Sequence, residues 1–320
     1  MKAFTPIAAA IFLVISGYSF ANGNTAIVNQ NGNGNMANPD QSDPATMDSL
    51  IAITQDGDFN ESAPVQENAT QNGTIIHIQT GNLNTAPALL QNNSDSTQIT
   101  AIQQGNLNEV GMSQVDSQLS TVFVNQIGDT NSYGGAQIMS DSDTISVLQS
   151  GDSQISGNTQ LNTSFNSFIV NQTGMANSAI GFQSSGTSNT SVMIQNGTAN
   201  IAGMAQNDGD FNSLLIQQDG DSNDGIVTQL NNSNNNTVSV FQSGMMNMSE
   251  VNQDASDFGI VDTNQTGMMN MALTNQTGIS NFASQSQIGT SNVHEIGQAT
   301  SGNSATALQS GTGNMGVIFQ

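Results

Sequence analysis

Residues 166–183 read NSFIVNQTGMANSAIGFQ, and most of the chain is built from variations on them. Phe168 and Val170 alternate with their neighbours and end on Gln172, the spacing of a strand with one buried face. Gly174 and Asn177 follow in a short segment with turn chemistry. A second alternating stretch then places Ala179 inward and closes on Gln183. One unit therefore predicts strand, tight arch, strand and a second arch.

The unit recurs to the last residue. Its anchor, Gln-x-Gly-x-x-Asn, starts at Gln30, Gln55, Gln79, Gln103, Gln126, Gln149, Gln172, Gln195, Gln218, Gln242, Gln265, Gln287 and Gln309, at intervals of 22 to 25 residues. Gly stands two residues after the first Gln in all thirteen copies; Asn stands five after it in twelve, with Gln154 the exception. A second Gln falls eleven residues after the first in twelve copies, and in the third Gln91 arrives one residue late. Through the middle of the chain these ladder and arch positions are Gln126, Gly128, Asn131 and Gln137; then Gln149, Gly151 and Gln160; then Gln172, Gly174, Asn177 and Gln183. They continue as Gln195, Gly197, Asn200 and Gln206; Gln218, Gly220, Asn223 and Gln229; and Gln242, Gly244, Asn247 and Gln253.

A fixed period of this size marks a solenoid or array rather than one globular core. Four residues before the anchor Gln the side chain is apolar in twelve of thirteen copies; two before it, in ten, with His77, Thr263 and Gln285 departing. The few apolar side chains of one unit cannot offset the backbone entropy of ordering it. Stacking solves this, because each strand gains ladder partners above and below and the inward side chains form continuous columns. The expected fold is all-β: a β-solenoid of about 13 strand-arch-strand turns with two stacked parallel sheets, cross-β and amyloid-like. At about 4.8 Å per turn, the body would be on the order of 60 Å long.

Composition narrows the function. Only 8% of residues are charged, aromatics are 5% and Trp is absent, too little for an ordinary core and an ordinary solvated surface. Lys2 is the single basic residue against 24 Asp and Glu. Such a polyanion cannot neutralise phosphates, which excludes nucleic acid and anionic lipid as partners. The absence of Cys excludes disulfides, thiolate metal sites and a thiol nucleophile. Residues 1–21 read as a secretory signal, with Lys2 as the positive start, an apolar run from Ile7 to Ile15, and Ser19-Phe20-Ala21 at the cleavage site. That run is too short to span a bilayer, no later segment could, and residues 22–320 are left as the repeat domain.

The repeat resembles that of curlins, the subunits of bacterial curli fibres: Ser-x5-Gln-x-Gly-x-x-Asn-x-Ala-x3-Gln. Gln172, Gly174, Asn177, Ala179 and Gln183 fill it without gaps. The leading Ser is met at Ser49 and Ser120 and replaced by Asn at Asn166, Asn189, Asn212 and Asn236. The resemblance implies a subunit exported through the periplasm and an outer-membrane secretion pore of a Gram-negative bacterium. It further implies extracellular polymerisation with copies of itself, aided by a nucleator subunit, into functional amyloid fibres of a biofilm matrix. Curlin major subunits have fewer repeats and a Gly-rich leader; this chain has thirteen repeats, and the first is expected to begin almost at the cleavage site. The nucleating subunit tends to carry basic residues in its last repeat, and residues 301–320 carry none, which favours the polymerising subunit.

No catalytic, cofactor or metal site is expected. His77 and His294 lie in different turns, and no nucleophile-elbow, phosphate-cradling or zinc-ligand spacing occurs. Asp219-Gly220-Asp221-Ser222-Asn223 opens like a calcium loop, but Asp224 stands where that loop needs Gly and Leu230 where it needs the bidentate Glu. The alternative to a fibre subunit is a monomeric solenoid serving as adhesin or ligand-binding module. Ice binding would call for a flat outward row of Thr; here the outward positions vary among Ile76, Phe123, Ser146, Ile169 and Leu215. Pro39, Pro64 and Pro87 are expected in the second strands of the first three repeats, and acidic residues are dense there, whereas residues 263–320 hold only Glu295. Edges are blunted by proline and charge, so the C-terminal repeats are expected to be the more assembly-prone.

Overall fold

The structure is a computed structural model that describes residues 23–320; the expected signal segment, residues 1–21, lies outside the described residues. Among the described residues there is no helix, and the strands form two parallel sheets of thirteen strands each. One sheet takes the first strand of every turn, from Thr25–Asn31 to Ser304–Thr312. The other takes the second strand, from Met36–Ala37 to Met315–Phe319. The chain is a β-solenoid of about thirteen turns, as its period requires.

Register follows the repeat residue for residue. Gln149 pairs with Gln172 and Gln172 with Gln195, while Gly151, Gly174 and Gly197 align beside them. Inward positions stack in the same way: Ile145, Phe168, Ser191 and Leu214 form one column, and all four are buried. In the strand Ser167–Met175, Phe168, Val170 and Gln172 are buried while Ile169 is exposed, which is the alternation that the sequence carries.

The core is only two side-chain layers deep, so bulk at one inward position must be matched by its absence at a neighbouring one, across the two sheets or within one of them. Phe168 is accommodated by Gly181, where an added Cβ would lie 1.9 Å from the ring. Tyr133 is accommodated by Gly135, where a Cβ would lie 2.2 Å from the phenol oxygen. Gly316 makes room for His294 in the same fashion.

Both arches use left-handed backbone. In the first, Gly174 has φ 113° and Ala176 φ 56°, and the equivalent pair recurs in nearly every turn. A Cβ on Gly174 would sit 2.0 Å from the carbonyl oxygen of Gly197 in the next turn, so stacking itself, beyond the dihedral, demands glycine here.

Departures from the period are absorbed locally. The extra residue that delays Gln91 is taken up by a bulge between Thr85 and Ala88, which turns Pro87 and Ala88 outward and restores Leu89 and Gln91 to the core. The same extra residue shifts the pairing with the preceding strand, Glu61–Glu67, where Ser62 aligns with Ala86 and Pro64 with Leu89. The expectation for Pro39 is corrected: the second strand of the first turn is only Met36–Ala37, and Pro39 lies beyond it. Asn38 and Asp40 on either side still donate to Ser62 and Pro64 of the second turn, so the missing N–H of Pro39 falls on the opposite, open edge.

Candidate functional site: amide ladders and open ends

The repeated Gln side chains make two unbroken ladders through the core. In the first, Nε2 of Gln126 donates to Oε1 of Gln149, Gln149 to Gln172, Gln172 to Gln195 and Gln195 to Gln218, each at 2.9 Å. Gln218 donates to Gln242 at 2.8 Å, and the run extends from Gln30 to Gln309. In the second, Gln137 donates to Gln160 and Gln160 to Gln183 at 2.9 Å, then Gln183 to Gln206, Gln206 to Gln229 and Gln229 to Gln253. This ladder runs from Gln41 to Gln320. Every step points the same way, from amide nitrogen to the amide oxygen one turn nearer the C-terminus. The other amide hydrogen ties the two sheets together, as when Gln172 donates to the carbonyl of Ile155 at 3.0 Å.

Asn columns line both arches with the opposite polarity. The backbone N–H of Asn131 donates to Oδ1 of Asn108, and that of Asn200 to Oδ1 of Asn177; Asn223 and Asn247 continue the series. Each Nδ2 reaches forward to a glycine carbonyl: Asn131 to Gly151, Asn177 to Gly197, Asn200 to Gly220, Asn223 to Gly244 and Asn247 to Gly267. Gly128 and Gly174 accept in the same way, from Asn108 and Gln154. Gln154, the one exception in sequence, accepts nothing: its Oε1 has no partner among the described residues.

The second arch has its own column. Backbone N–H groups of Asn189, Asn212 and Asn236 donate to Oδ1 of Asn166, Asn189 and Asn212 at 2.7 to 2.9 Å. The trace of this bond in the sequence is the recurrence of Asn, in place of the leading Ser, six residues before the anchor Gln. Asp143 occupies the same column, fully buried, accepting from the N–H of Asn166 at 2.7 Å and from the Thr163 hydroxyl. Burial raises its pKa, against the lowering effect of those bonds.

The two histidines are far apart and differently held. His77 is buried between Ser62, 2.7 Å from Nδ1, and Gln103, 3.1 Å from Nε2; desolvation lowers its pKa to about 4. His294 lies between Ala272 and Gly316, its pKa also lowered by burial. Asp224 is raised, first by burial and then by the neighbouring Glu250 carboxylate. Burial also raises the phenol of Tyr133, whose hydroxyl donates to Asn158 at 2.6 Å.

Both ends of the stack are open among the described residues. The last turn leaves Met315, Leu308 and Phe319 exposed at 81%, 73% and 70%. Its strands Ser304–Thr312 and Met315–Phe319 each pair on one side only. At the other end Thr25–Asn31 likewise has a single neighbour. No protein-family model matches the chain, and neither does any curated protein.

Proposed function

We propose that the chain is a secreted structural subunit that adds end to end to copies of itself, building extracellular, curli-like amyloid fibres of a bacterial biofilm matrix. The observation that carries this reading is the uniform direction of the glutamine ladders. The last turn presents the amide nitrogens of Gln309 and Gln320, and the first presents the amide oxygens of Gln30 and Gln41, whose Nε2 groups donate to Gln55 and Gln66 in the second turn. Donors at one end and acceptors at the other, on two unpaired parallel edges, make a head-to-tail contact that does not close on itself. Side-chain ladders thus reinforce what the backbone edges already permit.

The curlin-like repeat supports the same reading and brings with it a nucleator subunit and an outer-membrane pore as proposed partners. The semi-apolar outer row, with Phe123 and Ile169 exposed at 36% and 37%, suits lateral contact between fibres. The test is to incubate the purified mature chain and record thioflavin binding, detergent resistance and fibre diffraction. A meridional reflection near ~4.7 Å is expected. A soluble monomer that persists for days would instead support the monomeric adhesin.

A further inference from the structure

Six of the fifteen methionines fall in two adjacent arches that share the sequence Gly-Met-Met-Asn-Met, at residues 244–248 and 267–271. Core packing does not account for them. Met245, Met246, Met248, Met268, Met269 and Met271 are all exposed, by 38% to 56%, whereas Met112, Met193 and Met204 are buried. Register places Met245 against Met268 and Met248 against Met271. Met246 and Met269 occupy the same left-handed position of successive arches, φ 54° and 53°. Neighbouring turns are separated by about 4.8 Å, within the reach of two long flexible thioethers converging on one ion.

The turn below adds charge. Asp221 pairs in register with Met245, and Asp224 with Met248. Oδ1 of Asp224 is buried with no hydrogen-bond partner among the described residues. A cluster of thioethers beside an unpartnered carboxylate is matched to a cation that is soft and low in charge. Thioether sulfur selects Cu(I) over hard divalent ions. Among the described residues no three His, Asp or Glu side chains converge to hold a hard metal. The expectation of no metal site rested on thiolate, imidazole and carboxylate spacings, and thioethers lie outside those patterns.

We propose that the paired arches at residues 244–248 and 267–271 form a binding site for a soft monovalent cation of the Cu(I) class, with methionine sulfurs as ligands and Asp221 and Asp224 as flanking negative charge. The site needs no second chain, so it stands whether or not the protein polymerises.

The test is an anaerobic titration of the full mature chain with Cu(I) against a chromophoric chelator, repeated with Ag(I), and X-ray absorption on the loaded protein. Replacing all six methionines by leucine keeps the apolar surface and removes the sulfurs. A control carries Met36→Leu, Met139→Leu and Met175→Leu, which alter exposed methionines elsewhere. Wild type and control are expected to bind stoichiometrically with a sulfur shell, and the six-leucine variant to lose binding. Asp221→Asn with Asp224→Asn, which leaves every sulfur in place, is expected to weaken binding about tenfold. Undiminished affinity in the six-leucine variant, a shell of nitrogen and oxygen alone, or no competition by wild type would each overturn the proposal.

Discussion

Phe168 and Gly181 meet across the core of one turn, and the ring occupies the space that a Cβ on Gly181 would need, 1.9 Å from its nearest atom. Two side-chain layers leave no slack, so volume is conserved across the sheets rather than at each position. Gly181→Ala is expected to destabilise by about 1–3 kcal/mol. In the background of Phe168→Val the same change should cost far less. Urea unfolding of the two singles and the double measures the coupling, and additive effects would show that the two positions do not share one space.

Gln154 offers a gain. Its backbone N–H donates to Asn131 at 3.0 Å, but its longer side chain holds Oε1 away from the bond that Asn makes with the next turn. Gln154→Asn should complete the first-arch column through Asn177 and stabilise the chain by about 1 kcal/mol. An unchanged denaturation midpoint would mean that the gap costs nothing in the folded state.

Titration pulls in two directions. The Asp143 carboxyl has its folded pKa raised above the usual 3.8, so its protonated form is favoured in the fold. Stability from this group rises as pH falls through the raised value and is fully gained below 3.8. Asp143→Asn, which reproduces the neighbouring Asn166, should stabilise at pH 7 and remove that gain on acidification. His77 behaves oppositely. Its folded pKa of about 4 lies below the ordinary 6.5, so its contribution is present above 6.5 and lost as pH falls toward 4. That loss amounts to about 3 kcal/mol. His77→Val should flatten the acid limb between pH 6.5 and 4 in thermal melts at stepped pH, and an unaltered limb would place the proton elsewhere.

The fold was readable because period-two alternation is a direct image of burial: Phe168, Val170 and Gln172 are inward for the same reason that they are spaced by two. The arch was readable because stacked turns tolerate only Gly at positions such as Gly174. Other features left weaker traces. Bond direction in the ladders depends on how each Gln amide is rotated, which residue type does not encode. The bulge at Pro87 was visible only as the late arrival of Gln91, and which residue would turn outward depended on contacts with Met112 and the turn below. Asn166, Asn189 and Asn212 were noticed as replacements for Ser, yet their backbone-capping role requires knowing that successive arches superimpose.

The two ends should differ in assembly. The first three turns carry Pro39, Pro64 and Pro87 with many carboxylates, and a bulge in Thr85–Asn92 interrupts its register with both neighbouring strands. The last turns run in uninterrupted register, with Glu295 as the only charge after residue 262. A regular, uncharged, half-paired edge is the better template. Removing residues 265–320 is therefore expected to lengthen the thioflavin lag, and removing residues 22–91 to shorten it. A subtler variant keeps the full chain: Thr306→Lys with Val317→Lys sets a positive charge on each strand of the final turn, both at outward positions that leave the core intact. Its folded content by circular dichroism should match wild type while its lag lengthens and its fibres fail to elongate from wild-type seeds. Seeded growth at the wild-type rate would show that elongation does not use this end.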